Sequence, residues 1–163
     1  MDFFFLLTLL ISAGGLGWIV LALAGVNKGP VLAKFERYGP EPPYYFPLPS
    51  MIFWLAGIVF SAGLLLRDAG MGGSAIEIAG IVLFLLAVFA WNQKPYWQRY
   101  AETLPTLPAW YAHLREYTSR YERRRIAYMW LRLPLRTRLL YNANHQAFFT
   151  WADLVIMATV RDS

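Results

Sequence analysis

Three long apolar runs, almost free of charge, constrain this chain more than any other feature. Residues 3–26 read FFFLLTLLISAGGLGWIVLALAGV, with no ionisable side chain. Residues 48–66, LPSMIFWLAGIVFSAGLLL, are also uncharged, and residues 74–91, SAIEIAGIVLFLLAVFAW, carry only Glu77. At about 1.5 Å rise per residue, roughly 20 helical residues match a hydrocarbon core of about 30 Å. Backbone groups in lipid must be satisfied within the segment, so helices are the form these runs can take. The expected fold is an all-α integral membrane protein with three transmembrane helices, over about 3–26, 48–66 and 74–91.

The first run competes with a secretory signal, because Ala22-Leu23-Ala24 resembles a cleavage site. The segment before it carries Asp2 and no Lys or Arg, and the run exceeds the usual apolar stretch of about 7–15 residues. It is expected to be a retained span. Between the second and third runs lies RDAGMGG, suited to a tight turn outside the membrane, so these two spans should form an antiparallel hairpin. The composition agrees: 58% of residues are hydrophobic and 15% charged, against roughly 45–50% and about 25% in soluble domains.

Charge is unevenly placed. Residues 1–91 hold four Lys/Arg and five Asp/Glu, whereas residues 92–163 hold eleven and five. The shift near Trp91 divides an expected membrane domain, 1–91, from a basic, aromatic-rich helical tail, 92–163. The connection 27–47 carries Lys28, Lys34 and Arg37, and the 67–73 turn only Arg67. Because Lys and Arg concentrate in cytoplasmic loops, the N-terminus and that turn are expected outside. The 27–47 loop and the tail are expected in the cytoplasm, which makes the cytoplasmic membrane the expected location. With Pro30, Pro40, Pro42, Pro43 and Pro47, the 27–47 loop is expected to be stiff and to hold little helix. Tyr44, Tyr45 and Phe46 suit the headgroup level before span two, and Trp54 and Trp91 suit interfacial anchoring.

Small residues recur at close-packing spacing: Ala13 and Gly17 on span one, Gly57 and Ser61 on span two, Ala75 and Ala79 on span three. Such pairs let helix backbones approach in lipid, either within the chain or against another subunit.

In the tail, Pro108 two residues after Thr106 fits a helix start. From there to Leu133 no Gly or Pro intervenes, and a single helix is expected. Trp110, Leu114, Tyr117, Tyr121, Arg124, Tyr128 and Leu131 would form one stripe along it. Pro134 interrupts, Asn142-Ala143-Asn144 reads as a turn, and residues 147–160 are apolar around Asp153. Fourteen residues centred on an acid suit a packed helix better than a fourth crossing.

The candidate interface comprises Arg115, Arg120, Arg123, Arg124, Arg125, Arg132, Arg136 and Arg138, with Trp110, Tyr117, Tyr121 and Tyr128. Arg and aromatic residues are favoured anchors between subunits, and basic residues near a membrane also attract anionic headgroups. Nucleic acid is the least favoured partner beside a membrane, although the same residue types neutralise phosphates and stack bases.

Catalytic signatures are missing. The chain lacks cysteine, which excludes disulfides, thiolate zinc and cysteine-ligated clusters, and no phosphate-loop or hydrolase motif occurs. No His lies in the spans, so no cofactor is expected to be bound through an intramembrane His or Cys of this chain. His113 and His145 stand alone in the tail and read as ordinary imidazoles rather than metal ligands. Glu77 is the single intramembrane acid and a candidate proton or ion relay, although no second acid or base accompanies it in the spans.

The expected role is a non-catalytic accessory subunit of a larger membrane complex. Electron-transfer and photosynthetic assemblies are the types in which such chains occur, a choice by type rather than motif. Alternatives are a freestanding adaptor that recruits an acidic soluble partner or nucleic acid, and a small transporter that uses Glu77.

Overall fold

A computed structural model describes residues 2–38, 47–93 and 107–160. Among them the chain is all-helical, without a strand. Contacts divide it into two units, Met1–Val20 with Phe46–Thr103 and Leu21–Tyr45 with Leu104–Ser163. Helices α1 (Asp2–Leu23), α3 (Leu48–Asp68) and α4 (Ser74–Asn92) are long and apolar enough to cross a membrane.

Glycine sets the C-terminal ends of α1 and α3. Helix α1 stops at Leu23, short of the apolar run's end, because Gly25 takes a φ of 79° that side-chain-bearing residues avoid. The Gly25 N–H donates to the Ala22 carbonyl and the Val26 N–H to the Leu21 carbonyl, a complete Schellman termination. Helix α3 ends the same way at Gly70, where Gly70 donates to Arg67 and Met71 to Leu66.

In the first unit, α3 and α4 form the hairpin. Their buried seam falls every seven residues: Pro49, Ala56 and Gly63 on α3, and Gly80 and Ala87 on α4 with Gly73 at its N-cap. A seven-residue repeat of small side chains suits two helices crossing at a shallow angle. At Gly80 an added Cβ would lie 2.7 Å from the backbone nitrogen of Phe60. Helix α1 meets α3 through Ser12 against Gly57 and through Gly15 beneath the Trp54 indole. Of the small residues singled out in the sequence, Ser61 is buried and Gly57 lies against Ser12. Ala13, Ala75 and Ala79 face outward, and Gly17 has open space around it. Tyr44, Tyr45 and Phe46 lie outside the described residues.

The second unit contains a helix that the proline count concealed. Residues Gly29–Tyr38 form α2 rather than a stiff extended loop. Pro30 occupies its first turn, where a missing N–H has no intrahelical partner to lose, and Asn27 Oδ1 accepts the Gly29 N–H at 3.2 Å. The other four prolines all follow the helix.

The long tail helix is likewise divided. Helix α5 (Ala109–Tyr117) ends at extended Thr118, and α6 (Arg120–Arg132) begins from Ser119. Ser119 Oγ accepts the Glu122 N–H at 3.3 Å and Glu122 Oε2 accepts the Ser119 N–H at 2.6 Å, a reciprocal capping box. Helices α7 (Leu135–Ala143) and α8 (His145–Val160) follow, the latter capped by Asn144 Oδ1, which accepts the Ala147 N–H.

Three of these helices contribute the same i, i+1, i+4 triplet to one core: Val31, Leu32 and Phe35; Trp110, Tyr111 and Leu114; Ile126, Ala127 and Trp130. Phe148 and Ala152 of α8 complete it, so residues 147–160 form a packed helix. Ala22, in the last turn of α1, is buried in the same core. The Trp110, Trp130 and Trp151 rings meet Phe148 edge-on or tilted at 5.4–5.9 Å, the offset geometry aromatic quadrupoles favour.

Candidate functional site

Lys28 is the least expected member of that core. It lies between the end of α1 and the start of α2, and none of its surface is exposed. Its ammonium stands 4.9 Å from the Phe148 ring centre and 5.6 Å from that of Trp110, and donates to the Tyr141 carbonyl at 3.4 Å. Its backbone N–H reaches Asn142 Oδ1 at 3.5 Å, a weak contact. No carboxylate among the described residues pairs with it. Burial therefore disfavours its charged form and lowers its pKa from 10.5 to about 8. The aromatic faces offset part of that penalty through their negative quadrupole. The box holds a cation but has no opening to a substrate: its contacts tie the chain leaving α1 to α5, α7 and α8, against the penalty of burying the charge. From the sequence Lys28 reads only as a flanking positive charge, because burial of a lysine depends on residues more than 80 positions away.

The residues singled out for an interface separate into buried and exposed sets. Trp110 is core, and its indole Nε1 has no hydrogen-bond partner. Arg123 is turned inward and donates to the carbonyls of Arg115 and Thr118 at the end of α5. It thereby satisfies orphan carbonyls of that helix terminus. Burial lowers its pKa. Beside it the buried Tyr111 phenol is pushed up to about 12 by loss of water, with Arg123 and Arg115 opposing. Arg125 and Arg138 are half-buried.

Arg115, Arg120, Arg124, Arg132, Arg136, Tyr117, Tyr121 and Tyr128 remain exposed. The break at Thr118 divides the anticipated single stripe. On α6 alone, at 100° per residue, Tyr121, Arg124, Tyr128 and Arg132 share one outward side. The Arg132 guanidinium lies over the Tyr128 ring at 4.1 Å and donates to its hydroxyl.

His113 stacks between Tyr117 and Phe149, with ring centres at 4.5 and 4.9 Å. Among the described residues no group of three His, Cys, Asp or Glu side chains comes together to hold a metal. Glu77, by contrast, has a partner that its position did not announce: Arg67, at the end of α3, donates to its Oε2 at 2.9 Å. The pair closes the α3–α4 hairpin beside its turn. No protein-family model, curated protein or solved structure matches this chain.

Proposed function

We propose that this chain is a non-catalytic accessory subunit of a larger membrane assembly, held in the bilayer by three helices and docked to a neighbouring subunit through the outward face of α6. The observation that carries the reading is the alternation of Tyr121, Arg124, Tyr128 and Arg132 on that face, with Arg132 already stacked on Tyr128. Tyr and Arg are the residues subunit interfaces favour as anchors, because planar groups bury large areas at a low cost in conformational entropy. An arginine fork fits carboxylates in two-point fashion, so the complementary surface is acidic. The basic excess of residues 92–163 supports a cytoplasmic position for this face, with the N-terminus on the opposite side of the membrane.

The test is extraction of the native membrane in mild detergent followed by native electrophoresis. The chain is expected to migrate with a much heavier complex, and Arg124→Glu combined with Arg132→Glu to release it. Migration of the unaltered chain as a lone species of its own mass overturns the proposal.

A further inference from the structure

Helix α7 has its amphipathic pattern reversed. None of its residues is buried. Leu135, Leu139 and Leu140 are 64%, 59% and 63% exposed, and Arg136 and Ala143 share their side of the helix. The half-buried side holds Thr137, Arg138, Tyr141 and Asn142. A surface helix ordinarily turns its apolar stripe to the core. Three leucines displayed together beside an arginine mark a contact surface rather than scattered exposure.

The path of the chain identifies what covers that surface. Helix α1, long and apolar enough to cross a membrane, ends at Leu23, and its last turn is already part of the second unit's core through Ala22. Lys28, five residues further on, is joined to α7 at Tyr141 and Asn142. The nine residues of α7 measure only about 13 Å from end to end. All of α7 therefore lies close to the C-terminal end of the first span-length helix. There the polar headgroup layer is roughly 5–8 Å deep on each side of the hydrocarbon. A helix with an apolar face and a flanking cation settles at this depth, leucines toward the acyl chains and guanidinium reaching the phosphates.

We propose that α7 is an in-plane anchor, seated in the bilayer interface with Leu135, Leu139 and Leu140 inserted at the boundary between headgroups and acyl chains and Arg136 among anionic phosphates. The occupant of its exposed face is lipid, not a neighbouring protein.

The chain has no cysteine, so Leu139→Cys gives a single labelling position, with Leu135→Cys as a second and Glu116→Cys on α5 as an aqueous reference. The full chain, purified and reconstituted alone in phosphatidylcholine–phosphatidylglycerol vesicles, carries an environment-sensitive fluorophore at each position in turn. Labels at 139 and 135 are expected to be quenched by lipids spin-labelled high on the acyl chain, and several-fold less than the label at 116 by a water-soluble quencher. Equal aqueous quenching at all three positions overturns the proposal. So does shielding at 139 and 135 from both quenchers, which means coverage by a second copy of the protein. No other protein is present, so the outcome is independent of whether the chain belongs to an assembly.

Discussion

The Lys28 ammonium donates to the Tyr141 carbonyl while lying close to the Trp110 and Phe148 rings, so one cation joins the start of α2 to three other helices of the second unit. Because no carboxylate among the described residues compensates its burial, the folded state disfavours the protonated amine. Below pH 8 both folded and unfolded chains are protonated, and the folded chain bears the whole desolvation penalty. Between about 8 and 10.5 the unfolded chain keeps the proton that the folded chain has lost, so stability rises with pH. Above pH 10 the buried Tyr111 acts in the opposite direction: the unfolded phenol ionises while the folded one, pushed up to about 12, does not. The clean window is therefore pH 8–10. Lys28→Met should flatten the rise there and stabilise the protein at pH 7 by on the order of 1–3 kcal/mol, the desolvation term less the lost ring and carbonyl contacts. Thermal unfolding of the reconstituted chain measures both. A lower Tm at pH 7 with the pH dependence unchanged would show that the box, not the burial, governs this lysine.

How much of this was legible in the sequence follows a physical division. The three helices long and apolar enough to cross a membrane are legible because one compositional rule holds for every residue of a run, and Gly25 and Gly70 mark ends that any backbone would respect. Helix α2 is hidden by the abundance of proline around it, because the position of a proline decides its effect: Pro30 in a first turn permits a helix, whereas the same residue inside one would break it. The break at Thr118 carried a readable sign, Ser119 three residues before Glu122, but no Gly or Pro to draw attention to it. Lys28 and the outward leucines of α7 carry no local sign at all. Their setting is made by helices that are distant in the chain.

That capping box supports the second prediction. Glu122 is held below the usual carboxylate range chiefly by the Ser119 side-chain contact and the Ser119 backbone N–H. Its contribution is present above about pH 4.5 and is lost as pH falls through the lowered value. Ser119→Ala should destabilise the second unit by about 1 kcal/mol at pH 7. Ser119→Ala with Glu122→Ala should cost less than the sum of the single changes, because each removes part of the same reciprocal pair. Additive losses in a double-mutant cycle would mean that the two caps act independently.

The Arg67–Glu77 pair makes an asymmetric prediction. The Arg67 side chain is 58% exposed and that of Glu77 13%, so the attraction itself contributes only about 0–1 kcal/mol. Glu77 Oε1 is already buried without a partner. Arg67→Ala then leaves a nearly buried carboxylate uncompensated and should cost about 1–3 kcal/mol. Glu77→Gln should cost less, and the double substitution should resemble Glu77→Gln alone. Unfolding of the reconstituted variants gives the ranking. If Arg67→Ala proved silent, the carboxylate would have to find water at the hairpin turn without help from arginine.

Gly80 offers the sharpest steric test of the hairpin. Any side chain there must displace the Phe60 backbone, whose nitrogen and Cα lie 2.7 and 2.8 Å from an ideal Cβ. Backbone cannot rotate aside as a side chain can, so the helices must separate along the whole Pro49–Ala56–Gly63 seam. Gly80→Val should destabilise α3–α4 by about 1–3 kcal/mol or more, in the range of overpacked cores. Ala79→Val, one residue away on the outward side, should be tolerated within about 0.5 kcal/mol. Both variants place valine on the same helix; helix propensity alone favours Gly80→Val over Ala79→Val, by up to about 1 kcal/mol, so a larger loss at position 80 isolates contact. Unfolding midpoints in detergent, with crosslinking between cysteines placed on the two helices, distinguish a separated hairpin from one that has absorbed the valine. Equal behaviour of the two variants would mean that the seam does not hold the pair together.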